Sequence, residues 1–137
     1  MNFKKNRITK LKVINKLFVL GFVLSINQQC SHVNKPNLPD PLEAGWKGEK
    51  VCEILEENNK LRVLKCSFPP LVGHEKHFHP VHHGYTLKGS KFRITDTTGT
   101  KEVDVPTGYS WFKDDLAWHE VQNIGSDTAV FLIIEPK

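Results

Sequence analysis

From residue 50 to the last residue, hydrophobic positions come in short β-branched and aromatic runs of four to eight residues, each ended by turn-forming residues. Residues 51–55 and 61–68 flank Glu56-Glu57-Asn58-Asn59-Lys60, the pattern of a hairpin with an Asn-rich turn. The same pattern predicts strands over 85–88, 91–95, 101–105, 109–112, 118–122 and 129–135. Between them lie Gly89-Ser90, Thr97-Thr98-Gly99, Pro106-Thr107-Gly108, Asp114-Asp115 and Gly125-Ser126-Asp127. No stretch of this body holds a helical period over a dozen residues, and no repeat recurs at a fixed period. Evenly spaced short strands of this kind predict an all-β sandwich or barrel. With 137 residues, 39% apolar and 25% charged, the chain has the size and composition for one such domain.

The front of the chain has another pattern. A basic stretch precedes the apolar run Leu17-Phe18-Val19-Leu20-Gly21-Phe22-Val23-Leu24-Ser25-Ile26, which is followed by polar residues and Cys30. That order is the plan of a signal peptide, and the run falls short of the ~20 apolar residues a membrane span requires. Cys30 resembles the lipidated cysteine of bacterial lipoproteins, although Gln29 and Asn27 stand where that motif has a small residue and Leu; cleavage after Ser25 is the alternative. Residues 1–30 are thus a signal peptide or lipoprotein-like leader, 31–47 a Pro-rich polar tether with Pro36, Pro39 and Pro41, and 48–137 the folded domain. The expected location is outside the cytoplasm, periplasmic or attached to the membrane through the N-terminus.

Charge changes the picture only by its placement. Residues 1–39 carry seven Lys or Arg and no acid, leaving 12 basic residues and 15 acids for the rest, a balance of 12 − 15 = −3. The basic excess belongs to the leader, and without a cluster of Lys and Arg on the body nucleic-acid binding is excluded as a function class. Cys52 and Cys66 lie on the two arms of the first hairpin, close to cross-strand register. A bridge between them is conceivable in an oxidising compartment, but hairpin partners seldom meet bridge geometry, and the expectation is a pair of buried thiols.

The chemistry lies in the histidines. His74, His77, His79, His82 and His83 fall within ten residues, and His119 stands apart. Side chains two apart on a strand share a face, so His77 and His79 point the same way. Two imidazoles on one face, joined by a third from another strand, make a partial coordination sphere for Fe, Ni, Cu or Zn.

These residues, with the glycines and asparagine around them, resemble the cupin family. His77-Phe78-His79 supplies the HxH of its first motif and Gly89 the closing glycine. Six intervening residues back from Gly89 is His82, and three forward from His79 is His83; neither is the usual Glu. Gly108, His119 and Asn123 fall on the spacing of the second motif, with Asp114 and Leu116 where Pro and Gly usually stand. The resemblance spans about residues 48–137. It implies a double-stranded β-helix (jelly-roll barrel) and a divalent transition metal, iron foremost among Fe, Ni, Cu, Zn and Mn. The implied ligands are His77, His79 and His119, with His82 preferred to His83 as a fourth. Asn123 becomes a turn residue, His74 and His83 outer or surface residues, and Glu75 a solvated acid.

If the ligand histidines point inward, Phe78 and Trp118 point outward, and their cover is either residues 51–55 or a second copy of the chain, a homodimer being common in the family. Tyr85, Phe92 and Trp111 are expected in the core. The resemblance admits three functions: a metal-dependent enzyme on a small molecule, iron(II) dioxygenase-like; a non-enzymatic metal or small-molecule binding module; or a sugar isomerase or epimerase-like protein with a histidine base. An all-imidazole ligand set leaves the metal its full +2 charge, so the expected small-molecule ligand is an anion.

Overall fold

Alternation of buried and exposed side chains along β-branched runs builds nearly everything in this computed structural model, which describes residues 37–114 and 117–137. The leader 1–30 with Cys30, residues 31–36 of the tether, and Leu116 lie outside the described residues. In chain order the elements are α1 (Pro41–Ala44), β1 (Cys52–Glu57), β2 (Leu61–Phe68), β3 (Gly73–Phe78), β4 (His82–Lys88), β5 (Ser90–Asp96), β6 (Gly99–Val105), β7 (Ser110–Lys113), β8 (Trp118–Asn123) and β9 (Ala129–Pro136). Two antiparallel sheets form, one ordered β1-β2-β9-β4-β7 and the other β3-β8-β5-β6. This is an all-β double-stranded β-helix.

The interior changes character along its strands. On β9 the buried positions are Ala129, Phe131, Ile133 and Glu135, every second residue. The first three meet Leu64, Cys66 and Phe68 of β2 and Phe92 of β5 in the apolar core, where the rings of Phe68, Phe92 and Phe131 pack with centroids 5.4–5.8 Å apart. Beyond Ile133 the row ends in an acid, held between the His79 imidazole and the Arg62 guanidinium.

The structure departs from the expectations in five places. β3 is a strand that hydrophobic patterning misses, because Gly-His-Glu-Lys-His-Phe offers imidazoles rather than apolar side chains to the interior. Residues 37–47, the end of the expected tether, are attached to the barrel. Glu75 N and Phe78 N donate to the carbonyls of Gly45 and Pro39, and Asp40 caps α1 in a reciprocal box with Glu43. Cys52 and Cys66 are bridged rather than free, being direct register partners with Cα atoms 4.0 Å apart. Phe78 is buried within the chain instead of lying on an exposed outer face, and its backbone N–H donates to the Pro39 carbonyl. Tyr85 is 40% exposed instead of in the core, because His82, Gly84 and Thr86 take the inward positions of β4. Phe92 is buried and Trp111 packs against the core as expected. Gly84 has to be glycine, since a methyl there would lie 2.1 Å from the Trp111 ring.

Candidate metal centre

Pairing of β3 with β8 sets His77 directly opposite His119, with ring centroids 4.5 Å apart. His79 follows β3 by one residue, is buried, and has its ring centroid 4.9 Å from that of His77 and 5.4 Å from that of His119. His82 opens β4 facing inward, its ring 4.7 Å from that of His79, whereas His83 faces out and is exposed. His74 joins them through a β-bulge: the register of β3 on β8 shifts between His74 and His77, so two residues three apart both point inward, with rings 3.7 Å apart. One ligand nitrogen from each of His77, His79 and His119 lies within 4.8 Å of the others; His82 stands beside this group and outside it.

Hydrogen bonds fix the tautomers. His77 Nδ1 donates to the Glu75 carbonyl at 2.6 Å and His82 Nδ1 to the Pro80 carbonyl at 2.8 Å. His79 Nδ1 donates to Glu135 Oε1 at 2.9 Å. A neutral imidazole carries one N–H, so each of these rings keeps a lone pair on Nε2. His74 is arranged the other way: its Nε2 donates to the Pro41 carbonyl at 2.8 Å, and it serves as packing against His77.

Neutrality follows from the surroundings. Burial above all lowers His77 from 6.5 to about 4, and burial followed by the charge of His77 lowers His74 to about 3. His79 and His119 fall well below the ordinary value, first by burial and then by repulsion from the other histidines. The His79–Glu135 contact is therefore a hydrogen bond from a neutral ring to a carboxylate. The Glu135 carboxyl lies above its ordinary value, because burial pushes it up by more than the hydrogen bond and charge of Arg62 pull it down. The guanidinium, a permanent cation, is 2.5 Å from Oε2 and holds the group as the acceptor.

His77 Nε2 and His79 Nε2 are 3.1 Å apart, each with a lone pair and neither with a hydrogen to share. Two acceptors facing each other in a buried site fit a cation between them, and at that separation both can lie the ~2.0–2.1 Å of a metal–imidazole bond from one point. The donor set, neutral imidazole nitrogen throughout, suits first-row transition metals.

The other sequence candidates fall elsewhere. The Glu75 side chain is exposed and accepts from Lys47 N at 2.8 Å. Asn123 is buried and donates to the carbonyls of Phe68 and Asp127, both at 2.7 Å, tying the end of β8 to the end of β2. Sequence reasoning missed Glu135, although it shares the parity of Ala129, Phe131 and Ile133, which marks an acid on a buried face. An open cleft of about 810 Å³ beside Trp46, Cys52 and Val72 includes none of the histidines.

No family model and no curated protein matches the chain. Solved structures do. A cupin domain from Bordetella pertussis Tohama I is similar over 64% of this chain and 92% of its own, at 20% identity and a TM-score of 0.59. A cupin family protein with a double-stranded β-helix fold from Methanocaldococcus jannaschii matches over 63% and 78%, at 18% identity and a TM-score of 0.55. A polyketide cyclase from Streptomyces resistomycificus matches over 76% and 77%, at 20% identity and a TM-score of 0.52. The chain has the cupin fold.

Proposed function

We propose that this chain is a member of the cupin superfamily that binds one divalent transition metal through His77, His79 and His119, with His82 as a fourth ligand. In this reading it acts on a small anionic molecule as an iron(II) dioxygenase-like oxidoreductase. The observation that carries the metal reading is the 3.1 Å approach of two Nε2 acceptors, whose Nδ1 hydrogens are committed to Glu75 and Glu135. A metal bound there would supply Lewis acidity and, as iron, a one-electron couple for oxygen chemistry. The chain's own residues orient the rings: carbonyls on His77 and His82, a carboxylate on His79. The Phe68 ring, whose centroid is 6.1 Å from that of His74, sets the apolar core against the imidazole cluster.

The test is metal content. His77→Ala and His119→Ala, taken from different strands, should each lose the metal the unmodified protein holds; full occupancy in both variants contradicts the reading. His82→Ala should cost more metal than His83→Ala, and the reverse order would exchange their roles.

A second reading, a non-enzymatic metal-binding module, is favoured by the burial of His77, His79 and His82, each under 5% exposed. Azide added to the Co²⁺-loaded protein separates the two: a changed visible spectrum reports an exchangeable position, as an enzyme needs, and an unchanged one a closed site. Export of the chain is part of the proposal, supported by the Cys52–Cys66 bridge, a feature of oxidising compartments.

A further inference from the structure

Among the buried polar residues of the described chain, Glu135 is the one acid. Its two oxygens are both engaged, Oε1 by His79 Nδ1 at 2.9 Å and Oε2 by Arg62 Nε at 2.5 Å. Arg62 and Glu135 are direct register partners on β2 and β9, so the backbone ladder sets their approach. The far side of the guanidinium forks onto Asp40, Nη1 to Oδ1 at 3.1 Å and Nη2 to Oδ2 at 2.8 Å. Asp40 Oδ1 also accepts from Leu42 N at 3.1 Å, within the cap of α1. A continuous chain of hydrogen bonds thus runs from the His79 ring through β9 and β2 to the segment ahead of the barrel.

We propose that Glu135 is the positioning and charge-compensating residue of the metal centre, held in place by Arg62 and Asp40. This rests on the metal reading above. The first cupin-like motif has histidine where a glutamate is usual, so no acid stands there to face the metal. The chain of Asp40, Arg62 and Glu135 sums to −1, the charge a ligating glutamate would bring, but delivers it through an imidazole instead of by direct coordination. A carboxylate accepting from the far nitrogen of a ligand histidine fixes the ring's tautomer and orientation and makes it a better donor. A buried carboxylate is costly unless paired, and among the described residues its only charged neighbour in hydrogen-bonding contact is the guanidinium, which leaves Oε1 for His79.

Charge gives the test two readouts that move in opposite directions. In Glu135→Gln the shape is kept and the charge lost. Co²⁺ affinity of the full chain, measured by competition with a chelator, should fall about 10–100-fold, while the bound Co²⁺, now less compensated, should take up azide several-fold more tightly. Loss of site structure would weaken both. Asp40→Asn, which retains a good cap at the rim of the fold, guards against a Glu135 variant that does not fold; it should give smaller shifts of the same two signs.

His77→Ala runs alongside. If the unmodified protein takes up no Co²⁺, or His77→Ala binds it equally well, the metal reading falls and this inference with it. If His77→Ala loses Co²⁺ while Glu135→Gln binds it as tightly as the unmodified protein, this inference alone is overturned. A Glu135→Gln protein weakened toward both Co²⁺ and azide also overturns it. Where azide binds neither form, the Co²⁺ affinities decide.

Discussion

Buried neutral imidazoles make the metal-free protein sensitive to acid. His74 titrates near 3 and His77 near 4 when folded, with burial the leading cause in both, against an ordinary value of 6.5; His79 and His119 are displaced in the same direction. Below 6.5 the unfolded chain binds protons that the folded chain refuses. Stability is therefore complete above pH 6.5 and is lost as the pH falls toward the folded values, by up to about 1.4 kcal/mol per pH unit for each imidazole. The urea midpoint of the metal-free protein should drop steeply between pH 7 and pH 5; a flat profile would mean that the rings are not held neutral and buried. At this scale the spacing of His77, His79 and His119 was legible in the sequence, because period-2 alternation and a separate strand suffice to bring them together. His74 was not, since a bulge of one residue reverses its face. Glu135 was overlooked for a different reason: its parity was plain, but an acid at the end of an apolar strand is easily taken for a solvated terminus.

Hairpin β1–β2 carries the covalent tie of the fold. Cys52 and Cys66 are separated by 14 residues, and closing a loop of that length stabilises by about 3 kcal/mol through the unfolded chain. The bridge also lies beside the imidazoles, with Cys52 Sγ 4.0 Å from His74 Nδ1. Reduction should lower the unfolding free energy in urea by about that amount and raise the intact mass by two hydrogens. An unchanged mass would restore the pair of buried thiols that the sequence suggested. Eight of the nine strands could be read from short apolar runs between turn residues, β4 only in its second half. β3 and the start of β4 could not, because there the inward side chains are histidines, and a hydrophobic pattern counts them as polar. The cap Asp40-Pro41-Leu42-Glu43 is a legible helix start that the surrounding prolines disguised as linker.

Over the whole molecule, the interior divides into an apolar end built on Phe68, Phe92 and Phe131 and an imidazole end tied through Arg62 to the segment before the barrel. An extended tether up to residue 47 would leave Arg62 facing Glu135 alone; instead Asp40 is brought onto the barrel and completes a chain of net charge −1. That alters the expectation of a fully uncompensated +2 metal: the coordinating atoms are neutral, while compensation lies one ring away, so a preference for anions remains but is moderated. No helix of the described residues is long and apolar enough to cross a membrane. Membrane attachment therefore rests, as a proposal, on the N-terminal segment and Cys30. The claim on which all of this depends is that the barrel interior is a metal centre. Elemental analysis of protein purified without added metal and without a histidine tag tests it most directly: the account predicts close to one transition-metal ion per chain, removed by His77→Ala, and a metal-free protein that takes up no Co²⁺ or Fe²⁺ on titration would contradict it.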